Sequence, residues 1–213
     1  RRRELGPKGS LPLCDDFRGK IQVLDGDRCG FCGRPLYSEK ELCLPCRERQ
    51  SSCEGIVPLF LYRDDPARLL KAYKTAKRPS LAPFFTELLA EQILSRWPGR
   101  PIVPVPPRAE KIRRHEWDQV EEIARRLERK GFRLFRMLQR NRGREQKSLD
   151  KKNRSLNAKE SYTLKTGMVD KAEGLSLLLL DDICTTGSTI EACAQLLLGA
   201  GASRVAAIVI AAD

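Results

Sequence analysis

Apolar runs separated by amphipathic stretches set the plan of this chain. Gly55 to Tyr62 (GIVPLFLY) is short and rich in branched and aromatic residues, which predicts a strand, and Pro58, lacking an N–H, favours a sheet edge. Asp64-Asp65-Pro66 opens a helix with Leu69, Leu70 and Tyr73 at helical spacing. A second helix runs from Leu81 to Trp97, with Phe84, Leu88 and Ile93 near one face, until Pro98-Gly99 stops it. Ile102 to Val105 is a proline-bounded strand. Trp117 to Lys130 is an amphipathic helix, with Val120, Ile123, Ala124 and Leu127 inward, Arg125, Arg126, Glu128 and Arg129 outward, and Gly131 as its cap. Leu134 to Leu138 is a weaker strand, and the polar, basic stretch Gln139 to Lys159 reads as a long mobile loop with some helix. Leu175 to Leu180 and Val205 to Ala211 are continuous apolar runs of the buried parallel-strand type, joined by a helix from Gly187 to Leu198 that ends at Gly199 and Gly201. Strands alternating with helices predict an α/β fold built on a mostly parallel sheet.

The run Leu177 to Thr189, LLLLDDICTTGST, carries the chemistry. In open parallel sheets ligands sit beyond the carboxyl ends of strands, and this apolar strand leads into two acids and a turn of small residues. Asp181 and Asp182 offer acceptors for the vicinal hydroxyls of a ribose and for a divalent cation. Thr185, Thr186, Gly187, Ser188 and Thr189 place hydroxyls and backbone N–H groups at a helix N-terminus, where a phosphate is held. Each part alone fits a capped helix after an ordinary turn. Their order together favours a sugar phosphate. Cys184 reads as packing beneath the loop, and Cys193 lies on an apolar helix face with Ile190, Ala194 and Leu197.

Six of the eight cysteines fall between residues 14 and 53, and four of them form two CxxC pairs, Cys29/Cys32 and Cys43/Cys46, with ten residues between. That spacing suits two knuckles holding one tetrahedral structural zinc, against the alternative of buried or disulfide-bonded cysteines. Gly30, Gly33 and Pro35 suit the tight turns, and Arg28, Arg34 and Arg47 offset thiolate charge. Cys14 and Cys53 have no CxxC partner and receive no metal role.

Charge narrows the partners. The 213 residues carry a net charge of +12, which favours anionic ligands, whether phosphorylated metabolites or nucleic acid. No apolar run is long enough to cross a membrane as a helix, which argues against membrane insertion, and the paired thiols suggest a reducing compartment, the cytoplasm. Residues 1–13 read as a disordered tail, 14–54 as a zinc-binding module and 55–213 as one α/β domain.

The DDICTTGST loop resembles the PRPP (5-phosphoribosyl 1-pyrophosphate) signature of type I phosphoribosyltransferases, except that Cys184 stands where an aliphatic residue is usual. With a zinc ribbon ahead of it, the chain from Cys29 onward resembles the ComF family of bacterial competence proteins. Leu59 to Lys77 matches that family's strand and Lys-bearing helix, and Ile102 to Gln119 its proline-rich loop, with Trp117-Asp118-Gln119 in place of a Phe-Asn-Gln-like triplet and Glu116 in place of the preceding Gly. The basic segment from Gln146 and Lys147 to Asn157 matches as well. The resemblance implies a type I phosphoribosyltransferase fold, Rossmann-like with helices flanking the sheet, that binds PRPP with Mg²⁺. By the same analogy Arg108, Arg113 and Arg114 are candidates to meet the pyrophosphate, and Arg144, Lys147, Lys151, Lys152 and Arg154 to close over it; a solvated basic surface is the alternative for each group. It also implies a link to DNA uptake, with competence proteins as partners and single-stranded DNA as a second candidate ligand for a non-catalytic accessory role. His115, the only histidine, reads as an incidental loop residue, and nothing in the sequence identifies an acceptor base.

Overall fold

The computed structural model of the chain describes residues 13, 21, 23–24, 27–36, 41–48, 51–107, 111, 114, 116–141 and 161–213, and its first helix, α1 (Leu44–Arg47), is a single turn. Its centre is a parallel sheet of β1 (Ile56–Leu61), β2 (Ile102–Pro104), β5 (Ser176–Cys184) and β6 (Arg204–Ala212), in the order β1-β6-β5-β2. The two inner strands explain the apolar runs, since a central strand covered on both faces has no polar side to show. Leu178, Leu180, Ala206, Ile208 and Ile210 pack on one face beneath α2 (Asp64–Lys74), α3 (Ala82–Arg96) and α4 (Gln119–Arg129). Leu177, Leu179, Val205, Ala207 and Val209 pack on the other against α5 (Ser188–Gly199) and the antiparallel pair β3 (Leu138–Arg140) and β4 (Tyr162–Leu164).

Pro58 lies in β1, at the sheet edge as the sequence predicts. Its outer side is not left open: Leu24 N–H donates to the Leu59 carbonyl at 2.8 Å, and Ile21 is buried in the core beside Leu59 and Phe60. The N-terminal segment therefore joins the α/β domain along this edge. Phe31 packs on the opposite core.

Several boundaries differ from expectation. β5 does not stop at Leu180 but continues to Cys184, so both acids lie within the strand, paired in register with β6 through Asp181↔Val209 and Ile183↔Ala211. The helix expected from Trp117 begins at Gln119, because Asp118 takes the N-cap and its carboxylate accepts Val120 N–H at 3.0 Å. The Leu134 to Leu138 strand resolves into an isolated parallel bridge from Leu134 to Ile102 and, further on, β3. Gln139 and Arg140, expected in a loop, pair with Thr163 and Tyr162 of β4, a strand the apolar pattern does not reveal. The rest of that expected loop, residues 142–159, lies outside the described residues.

Candidate functional site

All four sheet strands run parallel, so their carboxyl ends share one edge. There α5 leaves β5 toward one face, while the chain after β2 leads to α4 on the other. Neighbouring strands whose connections depart to opposite faces open a crevice between them, the usual ligand position in such sheets.

The turn after β5 carries the glycine and the hydroxyl residues of the sequence motif. Gly187 has φ 72°, a left-handed conformation suited to glycine, and as the N-cap of α5 it offers no side-chain acceptor, while Thr186 Oγ1 accepts the Ser188 N–H at 3.4 Å. Thr185 and Thr186 are exposed, Gly187 is buried, and Ser188 and Thr189 are half-buried. The Thr186 and Ser188 hydroxyls lie 2.9 Å apart. Hydroxyls and helix N–H groups thus share one turn at the positive end of the helix dipole.

The two acids, adjacent in sequence, serve opposite faces because side chains alternate along a strand. Asp181 is half-buried and lies on the α5 side, where its charge reaches Tyr162 and Cys193. Its Oδ1 accepts Asp182 N–H at 2.8 Å. Burial, then the neighbouring Asp182 carboxylate, pushes its carboxyl up, to about 8. Asp182 is buried on the α2 and α4 side. Its Oδ1 accepts Ile183 N–H at 2.7 Å, while Oδ2 meets Lys74 Nζ at 2.7 Å and a donated hydrogen bond from Gln119 Nε2. Lys111 Nζ donates to Gln119 Oε1 at 3.3 Å, and Tyr73 OH to the Gln119 carbonyl at 2.8 Å. Tyr73 packs edge-on to Trp117, ring centroids 4.8 Å apart.

Lys74, Gln119 and Lys111 are the site residues that sequence reasoning missed. Lys74 had a legible signal: it follows Leu70 by one helical turn and so carries a charge along an apolar stripe aimed at the sheet. Gln119 is a buried polar residue at the start of α4, where no spacing rule marks a partner 63 residues away. Of the arginines expected near pyrophosphate, Arg114 is exposed and lies 3.8 Å from Glu116. Arg108, Arg113, Arg144, Lys147, Lys151, Lys152 and Arg154 lie outside the described residues.

The cysteine pairs converge as their spacing requires. The Sγ atoms of Cys29, Cys32, Cys43 and Cys46 all lie within 4.8 Å of one another, and those of Cys32 and Cys43 are 3.7 Å apart. A tetrahedral ion with bonds of about 2.3 Å would separate its sulfurs by about 3.8 Å, so the four thiols fit zinc. Gly33 N–H donates to the Cys29 carbonyl at 2.9 Å, Cys46 N–H to the Cys43 carbonyl at 3.0 Å, and Cys43 N–H to Cys29 Sγ at 3.3 Å. Gly33 has φ 67°, and a Cβ there would collide with Pro58 of β1, so the first knuckle sits directly on the sheet edge. Without metal, burial and the crowded sulfurs push Cys32 up to about 11 and Cys46 higher still. Burial also opposes ionisation of Cys29, but backbone donors at Cys32, Cys43 and Phe31 outweigh it and bring that thiol down to about 6. Cys53 is buried, donates to the Gly55 carbonyl at 3.2 Å and lies outside the four-sulfur group.

A family model, phosphoribosyl transferase domain, matches residues 120–213, which hold α4, the acid pair, the glycine turn and α5. The chain is 28% identical over 200 residues to the competence protein ComFC of Streptococcus pneumoniae, covering 91% of this chain and 84% of that protein. To ComFC of Bacillus subtilis it is 25% identical over 198 residues, covering 89% and 79%. Among solved structures, glutamine PRPP amidotransferase from B. subtilis, complexed with ADP and GMP, overlaps with a TM-score of 0.43 at 18% identity, over 66% of this chain but only 30% of that one. Adenine phosphoribosyltransferase from Leishmania tarentolae overlaps with a TM-score of 0.41 at 16% identity, over 67% and 75%. Among the described residues no helix is long and apolar enough to cross a membrane.

Proposed function

The chain belongs to the ComF family and carries a type I phosphoribosyltransferase domain, and on that premise we propose that it binds PRPP or a related ribose 5-phosphate together with Mg²⁺. The observation that carries this reading is the hydroxyl-rich start of α5 behind the left-handed N-cap Gly187, at the carboxyl end of a strand bearing two carboxylates. Thr185, Thr186, Gly187, Ser188 and Thr189 would hold the 5-phosphate through hydroxyls and backbone N–H groups. Asp181 and Asp182 would face the ribose hydroxyls and the cation, Asp181 through the carboxylate oxygen that the Asp182 N–H leaves free. Mg²⁺ is bound by one or two carboxylates together with substrate oxygens, which suits so small a protein donor set. When bound, it neutralises charge on the pyrophosphate.

Arg108, Arg113, Arg114, Lys147 and Arg154 are the proposed pyrophosphate contacts, their charges opposing those of the diphosphate. Residues 14–54 would form the zinc-ordered module and 55–213 the sugar-phosphate domain. The setting proposed is natural competence and DNA uptake in the cytoplasm, from the names of the ComFC relatives and the reducing chemistry of paired thiols.

Titration calorimetry of the full chain with PRPP tests the reading. Binding should need Mg²⁺ and disappear in the doubly substituted Asp181→Asn, Asp182→Asn chain, with circular dichroism checking its fold. Wild-type protein that takes up no PRPP with Mg²⁺ overturns it.

The +12 charge favours a second reading, a non-catalytic accessory that handles single-stranded DNA. Its affinity should fall steeply with salt, and a flat dependence of log K on log salt removes it.

A further inference from the structure

Asp182 is the most completely engaged carboxylate at the crevice. Backbone and side-chain donors hold both of its oxygens, and its side chain is only 8% exposed. Its cation is another matter. Lys74 stands in the last turn of α2 with its side chain 39% exposed, so the ammonium has a path to solvent that the carboxylate lacks. Lys77, three residues further on, has φ 49°, a left-handed conformation uncommon for a residue with a Cβ, and no regular helix resumes until Pro79. An ammonium on a flexible stem at a helix end can leave Oδ2 without any change in the core, and Gln119, fixed by Tyr73 and Lys111, keeps the carboxylate in place when it does. Among the described residues, the remaining hydrogen-bond partners of Asp182 are a backbone amide and a buried amide side chain, neither of them charged.

We propose that Lys74 is a placeholder cation. It neutralises Asp182 while the site is empty, releases Oδ2 to a divalent cation, and then turns to the anionic oxygens of the bound sugar diphosphate. The last step rests on the PRPP reading above; the first two do not. Lys74 is thus a positioning residue in the empty site and a ligand contact in the filled one. The arrangement avoids an uncompensated buried carboxylate next to Asp181 in the absence of ligand, and it makes metal affinity without ligand deliberately weak.

The role predicts opposite signs for two affinities. Lys74→Met keeps the stem and removes the charge. Binding of Mn²⁺ alone, read by the loss of its free electron paramagnetic resonance signal, should tighten about tenfold as a competing unit charge is lost from a partly buried site. Binding of PRPP with Mg²⁺ should weaken by about tenfold or more for the loss of one charge-assisted contact. A lysine that only ties α2 to β5 would leave Mn²⁺ binding unchanged or weaken it, and either result overturns the proposal.

A second measurement uses the unaltered chain and so does not depend on the variant folding. Acetylation of Lys74 by a mild acylating reagent, followed by mass spectrometry, should accelerate when Mg²⁺ is added and slow when PRPP follows. A rate insensitive to Mg²⁺ also overturns the placeholder role. If the wild type fails to bind PRPP, the functional reading falls, while the Mn²⁺ titration and the Mg²⁺-dependent acetylation still decide the handover of Asp182.

Discussion

The four-cysteine cluster and the acid pair at the end of β5 concentrate negative charge in opposite ways. Among the described residues the four sulfurs converge on one another with backbone N–H groups nearby, and burial together with crowding pushes Cys32 and Cys46 up, so the thiolate form of the cluster calls for a metal ion. At Asp182 the protein supplies the cation itself: Lys74 at 2.7 Å, with Gln119 and the Ile183 amide completing the set. A site that leaves its charge uncompensated depends on metal to hold its shape. A site that compensates itself keeps its shape empty and can exchange its cation for a ligand. On the function proposed above, the difference separates an architectural centre from a working one.

Breaking the cysteine cluster should have the largest effect. Structural zinc supplies about 10 kcal/mol or more of apparent folding free energy to the segments it orders. In the chain carrying Cys32→Ser and Cys46→Ser, zinc measured by plasma mass spectrometry should fall from about one per chain to none. Limited proteolysis should then cut within residues 27–48 while the sheet domain stays protected. Retention of zinc, or full protection of that segment without it, would erase the contrast.

The two aspartates should respond with opposite signs. Asp182→Asn strands the Lys74 ammonium beside a neutral amide. Breaking a fully buried pair costs about 3–5 kcal/mol, but this ammonium is 39% exposed, so about 2 kcal/mol is expected in urea unfolding at pH 7. Asp181 runs the other way. Burial and the Asp182 charge raise its carboxyl to about 8, above its unfolded value, so the native state holds a proton that the unfolded state releases. Its contribution to stability is whole below about pH 4 and is lost as pH rises toward 8. Asp181→Asn should therefore match the wild type in acid and exceed it above pH 8, by about 1 kcal/mol once solvent screening of this half-buried group is allowed for. Equal pH profiles for the two proteins would mean that Asp181 is not held in the protonated form.

What the sequence made legible follows from how local the cause is. The apolar cores of β5 and β6, the edge placement of Pro58, the glycine turn at 187 and the paired thiols each rest on a run or spacing within about a dozen residues, and each stands where the pattern puts it. The Asp182 network does not: Lys74, Gln119 and Asp182 come from three elements, and only the assembled sheet brings them together. The carboxyl end of β5 departs from its apolar pattern for a related reason. Apolar content ends at Leu180, but the strand is held to Cys184 by its ladder with β6, a partner that composition cannot announce. The same holds for β4, whose three residues are a strand only because β3 faces them.

The two regions meet at Glu191, and this contact should yield the smallest effect. Glu191 lies in the first turn of α5, just after Thr189, and its carboxylate accepts Ser51 Oγ, Ser52 N–H at 2.9 Å and Gln195 Nε2 at 3.0 Å. It draws the segment that follows the cysteine cluster onto the helix that follows the acid pair. Burial opposes its ionisation, but the Ser51 and Ser52 donors outweigh that and hold the carboxyl below the ordinary glutamate value. A depressed carboxyl contributes stability that is present above the unfolded value and lost as pH falls through the folded one. Glu191→Gln should therefore cost about 1 kcal/mol at pH 7, for weakened charge-assisted hydrogen bonds, and progressively less as pH falls through the depressed folded-state value. If the junction also steadies the first turn of α5, the variant should bind PRPP a few-fold more weakly at pH 7 while keeping its zinc, whereas unchanged PRPP affinity would make the two regions neighbours without coupling.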